Sequence, residues 1–240
     1  MSAARNQGLK KVSAPYVAFL DSDDLWEPTK LEKQIQCFIQ CPWKDLGVVY
    51  CAHVDIDEHD RVIIDQPTFQ LILKCRGKIT RELINGNKVA SSTSGALLKT
   101  ECLKKVGGFR TDLKIGEDWE LWIRISQHYS FDYVNEFLVK VRRHSQNASN
   151  NFDQMFQDTI KVLKLFLSME PRFSLKIKWR MKYWIANEII RKYGFVQGYS
   201  WLKQENSIQS ITQYFFNRLI IIGLAFLLMM KRKITAKISK

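Results

Sequence analysis

The feature that most constrains this chain is a short apolar run that breaks off on a block of acid. Residues 16–20 read Tyr-Val-Ala-Phe-Leu and end on Asp21-Ser22-Asp23-Asp24. A continuous run of this kind is expected to form a buried parallel strand. After Pro28, the apolar residues Leu31, Ile35, Phe38 and Ile39 fall at i, i+4, i+7 and i+8, the spacing of one helix face. Residues 47–54 (Gly-Val-Val-Tyr-Cys-Ala-His-Val) then read as a second strand. Strand, acidic loop, helix and strand define an α/β pattern, in which ligands bind at the carboxyl ends of the strands. The aspartates sit at that end.

Further along, residues 95–98 read as a strand and 100–106 as a short helix stopped by Gly107-Gly108. A longer helix is expected over 117–129, and residues 131–134 and 137–141 read as two closing strands. From about residue 152 the pattern turns helical, with Met155, Phe156, Ile160, Leu163 and Leu167, and a domain boundary is placed near 150. Charge changes at about the same point. Residues 1–160 hold 21 basic and 21 acidic side chains, so the whole formal net charge of +13 belongs to residues 161–240. Five cysteines without a Cys-x-x-Cys pair argue against both a disulfide framework and a zinc knuckle.

Two carboxylates two residues apart at a strand end can converge on one hard cation, with water or substrate phosphate completing its shell. Three other readings compete. Asp24 could cap the following helix. Asp21, Asp23 and Glu32 fall at positions 1, 3 and 12 of a calcium loop, but Trp26 occupies the glycine position and Pro28 follows, which excludes it. A phosphatase of the haloacid-dehalogenase type would use Asp21 as nucleophile, although Leu25 stands where that family has Thr or Val.

The company of the loop decides between them. Ser2-Ala3-Ala4-Arg5-Asn6-Gln7-Gly8 precedes the strand, while Val106-Gly107-Gly108-Phe109 and Gly116-Glu117-Asp118-Trp119-Glu120-Leu121-Trp122-Ile123-Arg124 follow it. In this order the segments resemble glycosyltransferase family 2, inverting sugar transferases of the GT-A fold, over residues 2–147. The resemblance implies an α/β chain with a Rossmann-like GT-A sheet over residues 1–150, followed by a basic helical region over 151–240. It implies a nucleotide-sugar donor, a UDP-sugar, held by its diphosphate through Mn2+ or Mg2+. Asp23 would be the metal ligand, with Asp21 beside it on the donor ribose or in the metal shell, and His144 would complete the shell or touch the diphosphate. Arg5, Asn6, Glu117, Arg142 and Arg143 would lie against the donor, and Ser94-Gly95 would line the sugar pocket. Asp118 would be the catalytic base. Independently of the resemblance, Asp118, Leu121, Trp122 and Ile125 share a helix face, which predicts a partly desolvated carboxylate of raised pKa. Trp119 and Trp122 are either a stacking face for sugar or core.

One departure stands out. Family members begin with an apolar strand and further β-α units that hold the nucleotide base, whereas Met1 opens directly on the Arg-Asn segment. The expectation is therefore an N-terminally truncated GT-A sheet that turns over weakly or not at all, with a non-catalytic remnant binding membrane or a partner as the rival. The basic tail and the apolar residues 219–230, too short for a span of ~20 residues, predict peripheral placement on the anionic cytoplasmic face of a membrane, and otherwise in the cytoplasm. A glycan or lipid-linked acceptor in cell-surface polysaccharide synthesis fits that placement. No nucleic-acid motif is present, so nucleic acid is not expected as a partner.

Overall fold

The structure, a computed structural model, describes residues 1–63, 75–89 and 93–169, together with 175, 177, 178 and 181. The tail residues 219–230 lie outside the described residues, as does nearly all of the basic region beyond residue 169. Among the described residues no helix is long and apolar enough to cross a membrane.

The elements in chain order are α1 (Ser2–Leu9), β1 (Tyr16–Ala18), β2 (Leu25–Trp26), α2 (Lys30–Gln40), β3 (Leu46–Ile56), α3 (Thr80–Leu83), β4 (Leu97–Lys99), α4 (Thr100–Val106), α5 (Glu117–Ser126), β5 (Ser130–Arg142) and α6 (Phe152–Met169). The strands form one mixed sheet in the order β1-β4-β3-β5-β2. β3 and β5 are parallel, and every other neighbouring pair is antiparallel. It follows that β1, β3 and β5 all point the same way, and their carboxyl ends share one edge of the sheet.

β3 is the spine. Its residues Val48 to Ala52 are almost fully buried, as are Leu121, Trp122 and Ile125 of α5 and Phe131 of β5. Gly47 is required by this packing, since a Cβ there would lie 2.6 Å from the Cys102 Sγ and 2.7 Å from the Tyr129 Cβ. None of the five cysteines, all among the described residues, is in a disulfide.

Four expectations are corrected. The 16–20 run makes a strand of only three residues, half-buried at the sheet edge, and its hydrogen-bonded partner β4 is antiparallel rather than parallel. An apolar run marks a strand but carries no information about its neighbour's direction. The two closing strands are one strand, β5, whose register against β3 slips between Cys51↔Val134 and Ala52↔Phe137, accommodating Asn135 and Glu136 in an irregularity. The helix expected over 117–129 ends at Ser126. In α2 the buried positions are Lys30 and Gln34, while Leu31 and Ile39 stay exposed. Gln34 is drawn inward because its Nε2 donates to the carbonyls of Val49 (2.9 Å) and Gly95 (2.8 Å), and its Oε1 accepts from Lys30 Nζ (2.9 Å). Lys30 in turn stacks over Trp26, 4.1 Å from the ring centroid, and burial lowers its pKa to about 8.

The first compact unit extends from Met1 to Ile177 and includes α6. Val162, Leu163 and Phe166 of α6 are buried, and the Asp158 carboxylate accepts the backbone N–H groups of Lys114 (2.9 Å) and Ile115 (3.1 Å).

Replacing Gln34 with Leu keeps the volume but takes the amide away from the buried carbonyls of Val49 and Gly95 and from the Lys30 ammonium, leaving Gly95 with the weak Cys51 thiol contact and Lys30 with the Trp26 ring. Each buried group deprived of its partner costs about 1–3 kcal/mol, so denaturant unfolding of Gln34→Leu is expected to show a loss of at least about 2 kcal/mol. A stability equal to wild type would contradict the assigned network.

Candidate active site

The acidic loop after β1, the segment after β5 and the first turn of α5 meet around a cavity of about 280 Å³ at the carboxyl edge of the sheet. Arg5, Asp21, Asp23, Glu117, Asp118, Arg142, Arg143 and His144 are all in its wall. These residues come from four separated stretches of sequence, and specific side chains hold the stretches together.

Arg5 is the central one. Its guanidinium donates to Asp21 Oδ1 at 2.5 Å and to Glu117 Oε1 at 2.8 Å, and it lies over the Phe109 ring. Burial opposes its charge, but the hydrogen bonds and charges of Asp21 and Glu117 outweigh that, so its pKa rises. The neighbouring Asn6 commits both ends of its amide to one residue, donating to the Phe109 carbonyl (2.7 Å) and accepting the Phe109 N–H (2.8 Å). It is absent from the cavity wall. Its side chain clamps α1 to Phe109. Gly108 makes room for the clamp, because a Cβ there would sit 2.3 Å from the Asn6 Oδ1. Arg124 of α5 grips the same turn, donating to the carbonyls of Val106 (2.6 Å) and Gly108 (2.7 Å) while it pairs in two-pronged fashion with buried Glu120.

The acidic loop is held from below and from the side. Ser94 is fully buried, its Oγ accepting the Asp21 N–H (3.1 Å) and its carbonyl accepting Trp26 Nε1 (2.8 Å). Gly95 is buried on the Gln34 and Cys51 side. Neither borders this cavity, and Ser94 supports the loop from beneath. Asp24 does not cap α2. It is buried, and its Oδ1 accepts the Arg142 N–H (3.2 Å); burial raises its pKa, against hydrogen bonds from Ser94 and Arg142. The Arg142 guanidinium is engaged with protein on three sides, with the carbonyls of Asp23 (3.0 Å) and Asp57 (2.9 Å) and with Asp60 Oδ1 (2.6 Å). It braces the loop. Arg143 pairs with the buried Asp55 at 2.8 Å, remains 42% exposed and borders the cavity.

Two carboxylates are left facing the cavity in different environments. Asp23 is part exposed, and its Oδ2 lies 3.1 Å from His144 Nε2. Among the described residues no three His, Cys, Asp or Glu side chains gather as a metal cluster. The pair Asp23 and His144 nevertheless suits a hard divalent ion of the kind that takes one or two protein ligands and fills its shell with water and substrate phosphate. Asp118, at the start of α5, has its pKa pushed up to about 6 by burial and by the charge of Glu117, against the Trp119 N–H and Arg5. Gly116, left-handed at φ 77°, is the turn that lets the chain enter α5 with both acids in its first turn. Trp119 and Trp122 are core residues, at 6% and 0% exposure. The sequence motifs did not single out Lys114, Ile115 and Asn147, which also border the cavity; only their nearness in sequence to motif residues points to them.

The chain belongs to the family described as glycosyltransferase like family 2, whose model matches residues 1–166. That membership leaves the phosphatase reading unsupported. An uncharacterized glycosyltransferase of Rickettsia typhi is 24% identical over 200 residues, covering 82% of this chain and 62% of the relative. The chain thus spans about three fifths of that relative's length. Among solved structures it is similar to Staphylococcus aureus TarS 1–349 in complex with UDP-GlcNAc (TM-score 0.55, 14% identity, 81% of this chain and 55% of that one). It is also similar to the mannosyltransferase PcManGT of Pyrobaculum calidifontis in complex with GDP-Man and Mn2+ (TM-score 0.53, 15% identity, 95% and 60%). These likenesses identify the fold as GT-A.

A carboxyl whose pKa is higher folded than unfolded makes ionisation oppose folding. The penalty is absent below the unfolded value near 4, grows between there and about 6, and is complete above. The stability difference between wild type and Asp118→Asn is therefore expected to move in the variant's favour as pH rises from 4 to 6, then to level off. Unfolding curves across this range check it, and a pH-independent difference would contradict the assignment.

Proposed function

We propose that this glycosyltransferase moves a sugar, with inversion, from a nucleoside diphosphate sugar to a hydroxyl of a glycan or lipid-linked acceptor. The observation that carries the proposal is the pairing, in one cavity of about 280 Å³, of a cation-compatible pair (Asp23, His144) with a separate carboxyl of raised pKa (Asp118). A divalent ion, Mn2+ or Mg2+, held by Asp23 and His144 would offset the negative charge that grows on the leaving diphosphate.

The remaining roles belong to the chain's own residues. Asp118 takes the proton of the acceptor hydroxyl as its oxygen attacks the anomeric carbon; the bond from that carbon to the diphosphate oxygen breaks and the electron pair leaves with the nucleoside diphosphate. A pKa near 6 suits a base working at neutral pH, ionised yet more basic than an ordinary carboxylate. Arg143 and Lys114 present positive charge to the same cavity and suit an anionic donor. Arg5 and Glu117 keep the acidic loop and the base helix in register. The UDP-GlcNAc and GDP-Man bound to the two similar structures support a nucleotide sugar as donor, and UDP-sugar is the reading we favour.

The basic composition of residues 161–240 supports placement at the anionic cytoplasmic face of a membrane, where lipid-linked acceptors for cell-surface polysaccharide are reached. The expected result is Mn2+-dependent transfer whose kcat falls below about pH 6 and drops by at least ~100-fold in Asp118→Asn, with donor KM little changed. Wild-type turnover by Asp118→Asn would overturn the assignment of the base.

A further inference from the structure

The loop between α3 and β4 carries a side chain that no motif picks out. Asn87 Oδ1 accepts the backbone N–H of Val89 at 3.0 Å, a local Asx-type turn. That bond settles which end of the amide points onward, and Nδ2 donates to Asp118 Oδ2 at 2.9 Å. The other carboxylate oxygen, Oδ1, accepts the N–H of Trp119 at 2.7 Å. Asp118 is therefore gripped at both oxygens, once by its own helix and once from a loop 31 residues earlier in the chain.

We infer that Asn87 is a positioning residue for Asp118, its amide N–H holding the carboxylate in the orientation that faces the cavity and favouring its ionised form. The inference rests on the reading of Asp118 as the base. Charge alone does not orient this group. Glu117 beside it repels the ionised form and Arg5 of α1 attracts it. Asp21, Asp23, Lys114, Arg143 and His144 face the same cavity from the acidic loop, the approach to α5 and the end of β5, and Lys88 adjoins Asn87. Asn87 adds a directed, neutral donor to this mixture. It counteracts burial without neutralising the base through an ion pair, which would depress its basicity.

The test is a carboxyl-carbon NMR titration of the full chain, with the Asp118 resonance identified by its disappearance in Asp118→Asn. Wild type is expected to titrate near 6, and Asn87→Ala roughly one unit higher. Asn87→Asp keeps the acceptor for Val89 but sets a carboxylate against Oδ2, so it should move the midpoint further up. In sugar transfer, the acid limb of kcat should move by the same amount while donor KM holds. Unchanged midpoints in both variants would overturn the proposal, and so would a lower kcat with an unmoved acid limb, which is what a merely structural role produces. Wild-type turnover by Asp118→Asn would instead remove the base assignment, whatever the Asn87 variants do.

Discussion

A single buried cation, Arg5, holds the working parts of this molecule in place. Two carboxylates brought to one point by distant segments, Asp21 and Glu117, would repel each other in a partly dry cavity. The guanidinium between them turns that repulsion into a joint. Asp21 belongs to the loop that presents Asp23, and Glu117 adjoins Asp118, so the joint sets the separation of Asp23 from Asp118. Asn6, one residue further, ties α1 to Phe109, and Arg124 ties α5 to the same glycine turn. The four motif segments thus occur together for a physical reason: each contains one half of a contact whose other half lies in another.

That interlocking also explains why so much was legible in the sequence. The acidic loop at a strand end, the glycine stop after α4 and the inward face of Asp118 follow from local rules of strand, cap and helix periodicity. Less local features were not. The direction of the partner of β1 is set by β4, some eighty residues away, and the run 16–20 contains nothing that reports it. α2 turns its polar Lys30 and Gln34 inward because two backbone carbonyls, one in β3 and one in the turn before β4, take a donor from Gln34, a demand invisible to a hydrophobic pattern. Asn6 and Arg142 carry the chemistry of ligand binding in their side chains, yet the structure uses them as clamp and brace. Asn87 has no motif at all; its meaning lies in the distance to Asp118.

Three aspartates in or beside this cavity show how environment divides the work among identical side chains. Asp24 is buried and supports the chain by accepting the Arg142 N–H. Asp23 stays part exposed beside His144, where its carboxylate is open to a cation. Asp118 is pushed by burial and by Glu117 toward a midpoint near 6, where it can accept a proton and return it. Glycosyl transfer from a charged leaving group needs both of the latter in one place, charge compensation on one side and a base on the other.

The central claim is that Asp23 and His144 form, with a nucleoside diphosphate, a divalent-cation site. Titration calorimetry of the chain with UDP, in the presence and absence of Mn2+, tests it most directly. The account predicts binding that requires Mn2+, is lost in Asp23→Ala and survives in Asp118→Asn. Binding indifferent to Mn2+ or to Asp23→Ala, or a folded chain that does not bind UDP with Mn2+ present, would contradict it.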